Sequence, residues 1–271
     1  MPDTTDEIMR PQVSIIMPAY NSGNYLSMAV KSVIAQSFQN WELIIVEDFS
    51  GDNTRAIAMS YAEQESRIRL VQNKENCGAS VSRHNGIQAA AGKWLAFLDS
   101  DDCWERDKLE KQLQAAEREH AKIVFTASAF MDSRGNLFDY TLHVPKTIAY
   151  RQLCKQNLIS NSSALVDKEL FMSHEVVGSE IHEDFACWLN ILKDGYIAYG
   201  IDEPLLIYRL TPSSKSGNKL HAARMNWNTY RVTGMGVLKS AYYMCWYTAK
   251  GILKYRNFHV KKGSGAEENE Q

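Results

Sequence analysis

Short apolar stretches alternate with stretches of helical pattern through the first hundred residues. This alternation constrains the fold more than any other feature. The apolar stretches have the length of buried strands and cover residues 13–18, 41–46, 68–71 and 93–98. Helical patterns follow these stretches at residues 25–36 and 80–91, and a further one runs from the loop at residues 47–53 to about residue 65. Such alternation predicts an α/β fold with a mostly parallel central sheet and helices on both faces, and a ligand at the carboxyl ends of the strands.

Three carboxylates follow the fourth of these strands within four positions. They belong to Asp99, Asp101 and Asp102. Like charges this close raise one another's pKa unless a cation or a set of donors offsets them. A divalent metal ion with oxygen ligands is the usual partner. The pattern therefore indicates a metal site, and the alternative is a turn whose acids cap the next helix at residues 107–120.

Two further loops reach the same edge of the predicted sheet. Ala19 and Tyr20 follow the first strand, and Glu47 and Asp48 follow the second. An aromatic face, an isolated acidic acceptor and a metal ion together suit a nucleoside diphosphate, with the ring stacked and the phosphates neutralised. The sequence lacks the two commonest glycine-rich phosphate motifs, so a dinucleotide-binding or P-loop site is excluded.

The second half of the chain is less regular. We predict strands at residues 123–129 and 162–166, a hairpin turn at residues 133–136 and a helix at residues 150–158. Five scattered cysteines without a C-x-x-C pair are typical of reduced thiols in a cytosolic protein. The first twelve residues lack the pattern of a signal peptide. Residues 1–10 and 263–271 are expected to be disordered.

The charge distribution is asymmetric. No Asp or Glu lies between Glu203 and Glu267, whereas eleven Lys and Arg residues do. Residues 237–253 are apolar and aromatic, but only ten uncharged residues separate Lys239 from Lys250, too few to span a bilayer. The segment is either an interfacial helix on an anionic membrane or a helical cap packed on the domain. Nucleic acid is the weaker partner because no nucleic-acid module is recognisable.

Five segments, in this order, resemble the motifs of family 2 glycosyltransferases of the GT-A fold. They are residues 13–21, 47–50, 76–86, 97–102 and 182–184. The resemblance covers about residues 11–210. It implies a GT-A nucleotide-sugar-binding domain at residues 11–220. The composition of residues 221–262 separately predicts a basic, aromatic-rich and membrane-associating helical extension.

The resemblance implies a nucleoside site built from the first two loops. Pro18, Ala19 and Tyr20 match the segment that contacts the nucleoside. Asp48 matches the acid that receives the uracil N–H. Glu47 stands where Asp is commoner in the family, a departure of little consequence because the second acid makes the contact.

The resemblance also implies the diphosphate and metal contacts. Asp102 matches the direct ligand of Mn²⁺ or Mg²⁺, with Asp101 beside it and nearer the ribose, while Asp99 supports the site. Gly78 and Arg83 match the segment that flanks the donor, although Arg83 alone reads equally as a helix-surface charge.

A polar loop at residues 211–218 resembles family loops that close over the donor. Arg209 or Lys215 could then touch the diphosphate, and a plain solvent-exposed loop is the alternative.

Sugar transfer also needs a base for the acceptor hydroxyl. Glu183 and Asp184 open a predicted helix at residues 184–193, and neighbouring residues cannot point the same way. The family pattern selects Asp184; otherwise the two acids only stabilise a helix N-terminus. With no second carboxylate nucleophile among the matched motifs, the resemblance implies direct displacement with inversion at the anomeric carbon.

The expected protein is a peripheral enzyme on the cytoplasmic face of the inner membrane. It transfers a sugar from a UDP-sugar to a lipid-linked saccharide in O-antigen, capsule or exopolysaccharide synthesis. One alternative is a metal-dependent phosphohydrolase, although Cys103 breaks the usual D-x-D-x-[TV] pattern. The other is a non-catalytic membrane-surface adaptor that uses the basic C-terminal part alone.

Overall fold

A computed structural model describes residues 10–210 and 219–264, and side chains within residues 10–210 and 221–250. The predicted polar loop at residues 211–218, with Lys215, lies outside the described residues. So do residues 1–9 and 265–271, which hold most of the two predicted disordered ends.

The strands form one mixed sheet. In chain order they are β1 (Val13–Ala19), β2 (Trp41–Glu47), β3 (Ile68–Gln72), β4 (Trp94–Phe97), β5 (Cys103–Trp104), β6 (Ile123–Met131), β7 (Leu137–Leu142), β8 (Thr147–Ile148), β9 (Leu165–Asp167) and β10 (Ala198–Arg209).

The helices connect these strands and extend the chain beyond them. They are α1 (Leu26–Ile34), α2 (Thr54–Gln64), α3 (Gly78–Ala89), α4 (Lys108–Arg118), α5 (Tyr150–Leu153), α6 (Lys168–His174), α7 (Glu183–Lys193), α8 (Lys219–Val232) and α9 (Val237–Ser264). A 3₁₀ turn, Asn161–Ser163, precedes β9.

The sheet order confirms the predicted architecture. The strands run β3-β2-β1-β4-β9-β6-β10-β5, with β7 beside β6 and β8 beside β10. Strands β3, β2, β1 and β4 are parallel, and so are β6 and β10. The chain runs from β1 through β2 to β3 and then crosses back to β4 on the other side of β1. The direction of winding therefore reverses at β1, and a crevice opens there at the carboxyl ends of the strands.

Alternation along each strand divides the core into two apolar clusters. Ile16 and Phe97 point to the face covered by α3, α6, α7 and α8, and Ile15 and Ala96 point to the face covered by α1 and α4. Each cluster is contiguous, so helices on both faces hold the sheet rigid beneath its edge.

Helix α1 shows why the sequence folds this way. Its buried residues, Leu26, Ala29, Val30 and Val33, have the spacing of one helix face. On the other face of the sheet, Gly86 lets α3 lie directly on β1, because an added Cβ would stand 2.7 Å from Ile16 Cγ2. This close approach brings Arg83, one turn earlier in α3, to the edge of the sheet.

The irregular second half differs from two of the sequence predictions. The predicted helix at residues 150–158 ends at Leu153. The predicted strand at residues 162–166 begins as the 3₁₀ turn, and pairing starts only at Leu165. Both segments are short, and neither has an extended periodic pattern, so tertiary contacts decide the conformation. The hairpin turn at residues 133–136 is confirmed between the antiparallel strands β6 and β7.

The C-terminal extension is helical, and one of its faces packs on the domain. Tyr247 contacts Phe185 of α7 and Tyr243 contacts Tyr230 of α8, with ring centroids 6.1 and 6.3 Å apart. Leu238 and Trp246 lie on the other face and are exposed. Within the described residues, no helix has both the length and the apolar character of a membrane span.

Candidate active site

The loops after β1 and β2 form one corner of the sheet edge. Pro18 and Ala19 are the last residues of β1, paired with Val46 and Glu47 of β2. Ala19 is buried, whereas Tyr20 is half exposed. The strand therefore ends in a rigid, buried backbone that presents one aromatic ring to solvent.

Asp48 anchors the neighbouring loop. Its Oδ1 accepts hydrogen bonds from the Cys77 N–H at 2.8 Å and the Asn73 side-chain amide at 2.7 Å. Its Oδ2 accepts one from the Gly78 N–H at 2.8 Å. Gly78 has a φ of +81°, which glycine adopts without a steric penalty. The buried Asp48 carboxylate thus fixes the start of α3 and keeps lone pairs that could accept from a ligand.

Glu47 binds the backbone of the same loop. Its carboxylate is buried and accepts a hydrogen bond from the Ser50 N–H at 2.6 Å. The Glu47 carboxylate therefore fixes the shape of the loop.

The acidic loop, residues 99–102, closes the other side of the crevice. The Asp102 N–H donates to the Asp99 carbonyl at 3.0 Å, which makes a tight turn. The Asp102 side chain is 1% exposed, and its Oδ1 accepts from the Arg209 N–H at 2.9 Å. Its Oδ2 is buried without a hydrogen-bond partner among the described residues. A buried carboxylate oxygen without a hydrogen-bond partner is free to bind a ligand.

The carboxylates of the acidic loop repel one another. Burial and the charge of Asp99 raise the pKa of Asp101 to about 6. Burial, together with the charges of Asp99 and Asp101, raises the pKa of Asp102 well above its usual range. The raised pKa values of Asp101 and Asp102 show that their ionised forms are poorly compensated, so a bound cation would be strongly favoured.

Arg209 does not present a free cation to a diphosphate. The side chain is buried, its Nε donates to the Asp101 carbonyl at 2.7 Å, and one terminal nitrogen donates to the Asp132 carbonyl at 3.0 Å. The guanidinium also lies 4.7 Å from the ring centre of Tyr25. Arg209 binds backbone oxygens of the acidic loop and of the β6–β7 turn, and its role here is to fix their shape.

A second group, which we call the Arg83 cluster, contains Arg83, Glu183 and Asp184. Arg83 donates to the Glu183 carboxylate and, at 2.7 Å, to Asp99 Oδ1. Burial lowers the pKa of Arg83, but the charges of Asp99 and Glu183 outweigh it and raise that pKa. The guanidinium therefore joins α3 and α7 to the acidic loop as a buried cation. This pairing excludes the reading of Arg83 as a solvated helix-surface charge.

Asp184 is the acid of the Arg83 cluster that forms no ion pair with Arg83. It lies in the first turn of α7, next to Glu183, and its Oδ1 accepts a hydrogen bond from the Phe185 N–H at 2.7 Å. Burial and the charge of Glu183 raise the pKa of Asp184 to about 7, although Arg83 opposes the shift. A carboxylate with this pKa can take a proton near neutral pH.

The match to a known family decides the identity of this crevice. The model of glycosyl transferase family 2 matches residues 14–177, more than half of the chain. The chain belongs to family 2 of the glycosyltransferases.

Relatives of this glycosyltransferase cover nearly its whole length. TuaG of Bacillus subtilis, named for teichuronic acid biosynthesis, is 37% identical over 90% of this chain and 98% of its own. WfgD of Escherichia coli, named as a UDP-Glc:α-D-GlcNAc-diphosphoundecaprenol β-1,3-glucosyltransferase, is 32% identical over 93% of this chain and 97% of its own.

Solved structures show that the fold is GT-A. TarS of S. aureus, solved with UDP-GlcNAc, is 17% identical with a TM-score of 0.67, over 82% of this chain and 65% of that chain. The mannosyltransferase PcManGT of Pyrobaculum calidifontis, solved with GDP-Man and Mn²⁺, is 16% identical with a TM-score of 0.66, over 88% of this chain and 70% of that chain. At these identities the likeness establishes the fold.

The glycosyltransferase has a donor set that fits a divalent ion bound together with a substrate. No group of three or more His, Cys, Asp or Glu side chains in the described parts of the chain forms a complete metal cage. Mg²⁺ and its analogues are commonly held by one or two carboxylates plus substrate phosphates. The unpaired Asp102 Oδ2 and the adjacent Asp101 carboxylate match that incomplete set.

The sequence analysis missed two residues of this site. The Ser162 hydroxyl accepts a hydrogen bond from the Asp99 N–H at 3.1 Å. Asn161, next to it, is nearly buried, and both of its side-chain amide atoms lack a partner among the residues described. The sequence signal was a polar run at residues 160–163 directly before an apolar one, and the part from Ser162 was interpreted as the beginning of a strand.

Proposed function

We propose that this protein is an inverting, metal-dependent glycosyltransferase that moves a sugar from a UDP-sugar to a lipid-linked saccharide. The pathway would be the assembly of a bacterial surface polysaccharide such as O-antigen, capsule or exopolysaccharide. One observation carries the proposal: Asp99 and Arg83 join the loop that holds Asp102 to the helix that begins with Glu183 and Asp184. The proposed site of the donor's anomeric carbon and the proposed base are thereby held at one edge of the sheet.

The donor fits the corner between β1 and β2. Tyr20 offers a ring face to the base, and Asp48 has acceptor capacity for the uracil N–H. The relatives WfgD and WfaP are named for UDP-Glc as donor, and TarS was solved with UDP-GlcNAc. These names support a UDP-sugar.

The diphosphate would lie against the acidic loop. Mn²⁺ or Mg²⁺ held by Asp101 and Asp102 would supply the positive charge that the leaving diphosphate needs. Arg209 holds the backbone of the loop, so the two carboxylates are in place before the donor arrives. Asn161 can both donate to and accept from a sugar hydroxyl beside the diphosphate.

Asp184 would serve as the base. The acceptor hydroxyl loses its proton to the Asp184 carboxylate while its oxygen attacks the anomeric carbon. The bond from that carbon to the β-phosphate oxygen breaks, and UDP leaves with the electron pair. A single displacement inverts the anomeric configuration. Glu183 cannot share this task because its carboxylate is paired with Arg83.

The C-terminal helix α9 would bring the enzyme to the lipid-linked acceptor. Leu238, Tyr242 and Trp246 recur every four residues on its exposed face, with Leu238 87% exposed. Lys155 lies 5.0 Å from the Trp246 ring. Apolar and aromatic residues in a part of the chain that is free of acidic residues suit an anionic membrane surface.

The activity is tested with radiolabelled UDP-glucose and N-acetylglucosamine on undecaprenyl diphosphate. We expect label in the lipid product, a β linkage formed from the α-linked donor, and dependence on added Mn²⁺. Transfer at full rate after chelation would overturn the metal assignment. Retention of the anomeric configuration would overturn the role of Asp184.

The membrane surface is tested by flotation with vesicles of phosphatidylglycerol. We expect the wild type to float and the Leu238→Glu/Trp246→Glu variant to stay in the soluble fraction, with unchanged UDP binding. The control exchanges Leu137, an exposed residue on β7, for Glu. Equal flotation of all three proteins would overturn this assignment of α9.

A further inference from the structure

Phe49 is held in a conformation that a bulky residue seldom adopts. Its φ is +60°, in the left-handed region. For an aromatic residue this conformation is strained, and strain of this kind collects at functional sites. Glycine would adopt the same φ without a steric penalty, so folding alone gives no reason for phenylalanine at this position.

The Phe49 ring does not contribute to the core. It is 61% exposed, although Asp48 before it is 2% exposed. Among the described residues, neither of the two apolar clusters includes Phe49. The backbone strain therefore places a large apolar ring in solvent. It does so immediately after Asp48, the buried acid of the corner between β1 and β2, which we call the nucleoside corner.

The loop that carries Phe49 is firmly joined to the loop that carries Tyr20. The Asn21 N–H donates to Ser50 Oγ at 3.1 Å, and the Gly51 N–H donates to Asn21 Oδ1 at 2.9 Å. Asn21 is also left-handed, with a φ of +46°. Two exposed rings, Tyr20 and Phe49, thus stand on adjacent loops that hold each other in place.

We propose that Phe49 supplies a second ring face to the nucleobase of the donor, beside Tyr20. The proposal rests on the UDP-sugar donor proposed above and adds a residue that sets nucleobase affinity. An aromatic ring stacks on any base, so Phe49 raises affinity for the base without selecting uracil. Selection falls to Asp48, whose carboxylate accepts hydrogen bonds.

The test measures UDP, CDP and pyrophosphate binding by calorimetry, each with Mn²⁺, in the wild type, Phe49→Gly and Phe49→Tyr. Loss of a base–aromatic stack corresponds to about fivefold to 150-fold in affinity. We expect Phe49→Gly to lose this factor equally for UDP and CDP and to bind pyrophosphate within twofold of the wild type. Phe49→Tyr keeps the ring and should keep the affinity.

Thermal melting separates binding from structure. We expect the melting temperature of Phe49→Gly to be unchanged or higher, because glycine relieves the left-handed strain. The control Met59→Ala removes an exposed apolar side chain from α2, away from the nucleoside corner, and should change no affinity.

Two outcomes would overturn the role of Phe49 while leaving the proposed function intact. One is UDP affinity within twofold of the wild type in Phe49→Gly. The other is a lower melting temperature with equal losses for UDP and pyrophosphate, which would show that Phe49 only supports the loop. A wild type that binds pyrophosphate but neither nucleotide would overturn the UDP-sugar donor itself, and this proposal with it.

Discussion

Two buried arginines lie beside the two acidic groups of the crevice, and they act in different ways. Arg209 donates mainly to backbone carbonyls, so it shapes the acidic loop and leaves Asp101 and Asp102 unneutralised. Arg83 donates to the carboxylates of Asp99 and Glu183 and leaves only Asp184 unpaired. The first arrangement retains negative charge for a cation, and the second retains one proton acceptor.

Under the proposed function, the difference gives one residue type two roles. The carboxylates of Asp101 and Asp102 would hold a metal ion because the nearby Arg209 binds backbone carbonyls. Asp184 would be a base because Arg83 neutralises Glu183 and burial raises the pKa of Asp184. Single substitutions in each group should separate the two roles.

The largest effect is expected for Asp184→Asn. The amide cannot take the acceptor proton, so kcat should fall about a hundredfold to ten-thousandfold, with unchanged UDP affinity. Steady-state kinetics and calorimetry measure both. Asp194→Asn, at the exposed end of the same helix, is the matched control and should change kcat less than twofold. Equal losses in both variants would mean that α7 is merely destabilised.

Asp102→Asn should reduce kcat/KM by about a hundredfold to a thousandfold and abolish stabilisation by Mn²⁺. The Asn oxygen can still accept from the Arg209 N–H, so the loop keeps its shape. Without Mn²⁺, the melting temperature of the variant should fall less than that of the wild type as the pH rises, because the raised pKa of Asp102 makes its ionised form unfavourable in the folded protein. Asp139→Asn, an exposed change on β7, is the control. A variant that still responds to Mn²⁺ would contradict the ligand assignment.

Arg209→Lys should lower the free energy of unfolding by about 2–4 kcal/mol, because lysine cannot reach the carbonyls of Asp101 and Asp132 together. Denaturant unfolding provides the measurement. Arg118→Lys, at an exposed surface pair, should change it by less than about 0.5 kcal/mol. If Arg209→Lys keeps full stability but loses diphosphate affinity, Arg209 binds the donor after all.

Changes around Asp184 should move the pH profile in opposite directions. In the wild type we expect kcat/KM to fall as the pH drops through about 7, the raised pKa of Asp184. Glu183→Gln removes a negative neighbour, lowers that pKa and should shift the acidic limb down by up to about one unit. Arg83→Gln removes a positive neighbour and should shift it up. A limb that stays in place in both variants would exclude Asp184 as the titrating group.

Asn161→Ala should have the smallest effect. Loss of one or two hydrogen bonds to the donor sugar would raise the KM for the UDP-sugar about threefold to tenfold and leave UDP affinity unchanged. Ser60→Ala on α2 is a polar control outside the crevice. Equal weakening of UDP and UDP-sugar would place Asn161 at the nucleotide instead.

The first hundred residues were predictable because their strands and helices are specified locally. Residues 13–18 pair as β1, and the helix expected at residues 80–91 is present as α3, two residues earlier at each end. In the second half, the strand at residues 123–129 and the helix at residues 184–193 were also predictable. The prediction at residues 162–166 was wrong in extent because β9 is three residues long and pairs antiparallel with both β4 and β6. Such a strand gains its stability from its neighbours, which a local pattern does not contain.

The sequence by itself determined the α/β alternation, the carboxylates at the ends of the strands and the family. Only the tertiary structure decided what each charge does. Arg83 and Arg209 look alike in the sequence, but one meets carboxylates and the other meets carbonyls. The reason is physical: burial and contacts across the sheet set charge and pKa, and they join residues a hundred positions apart.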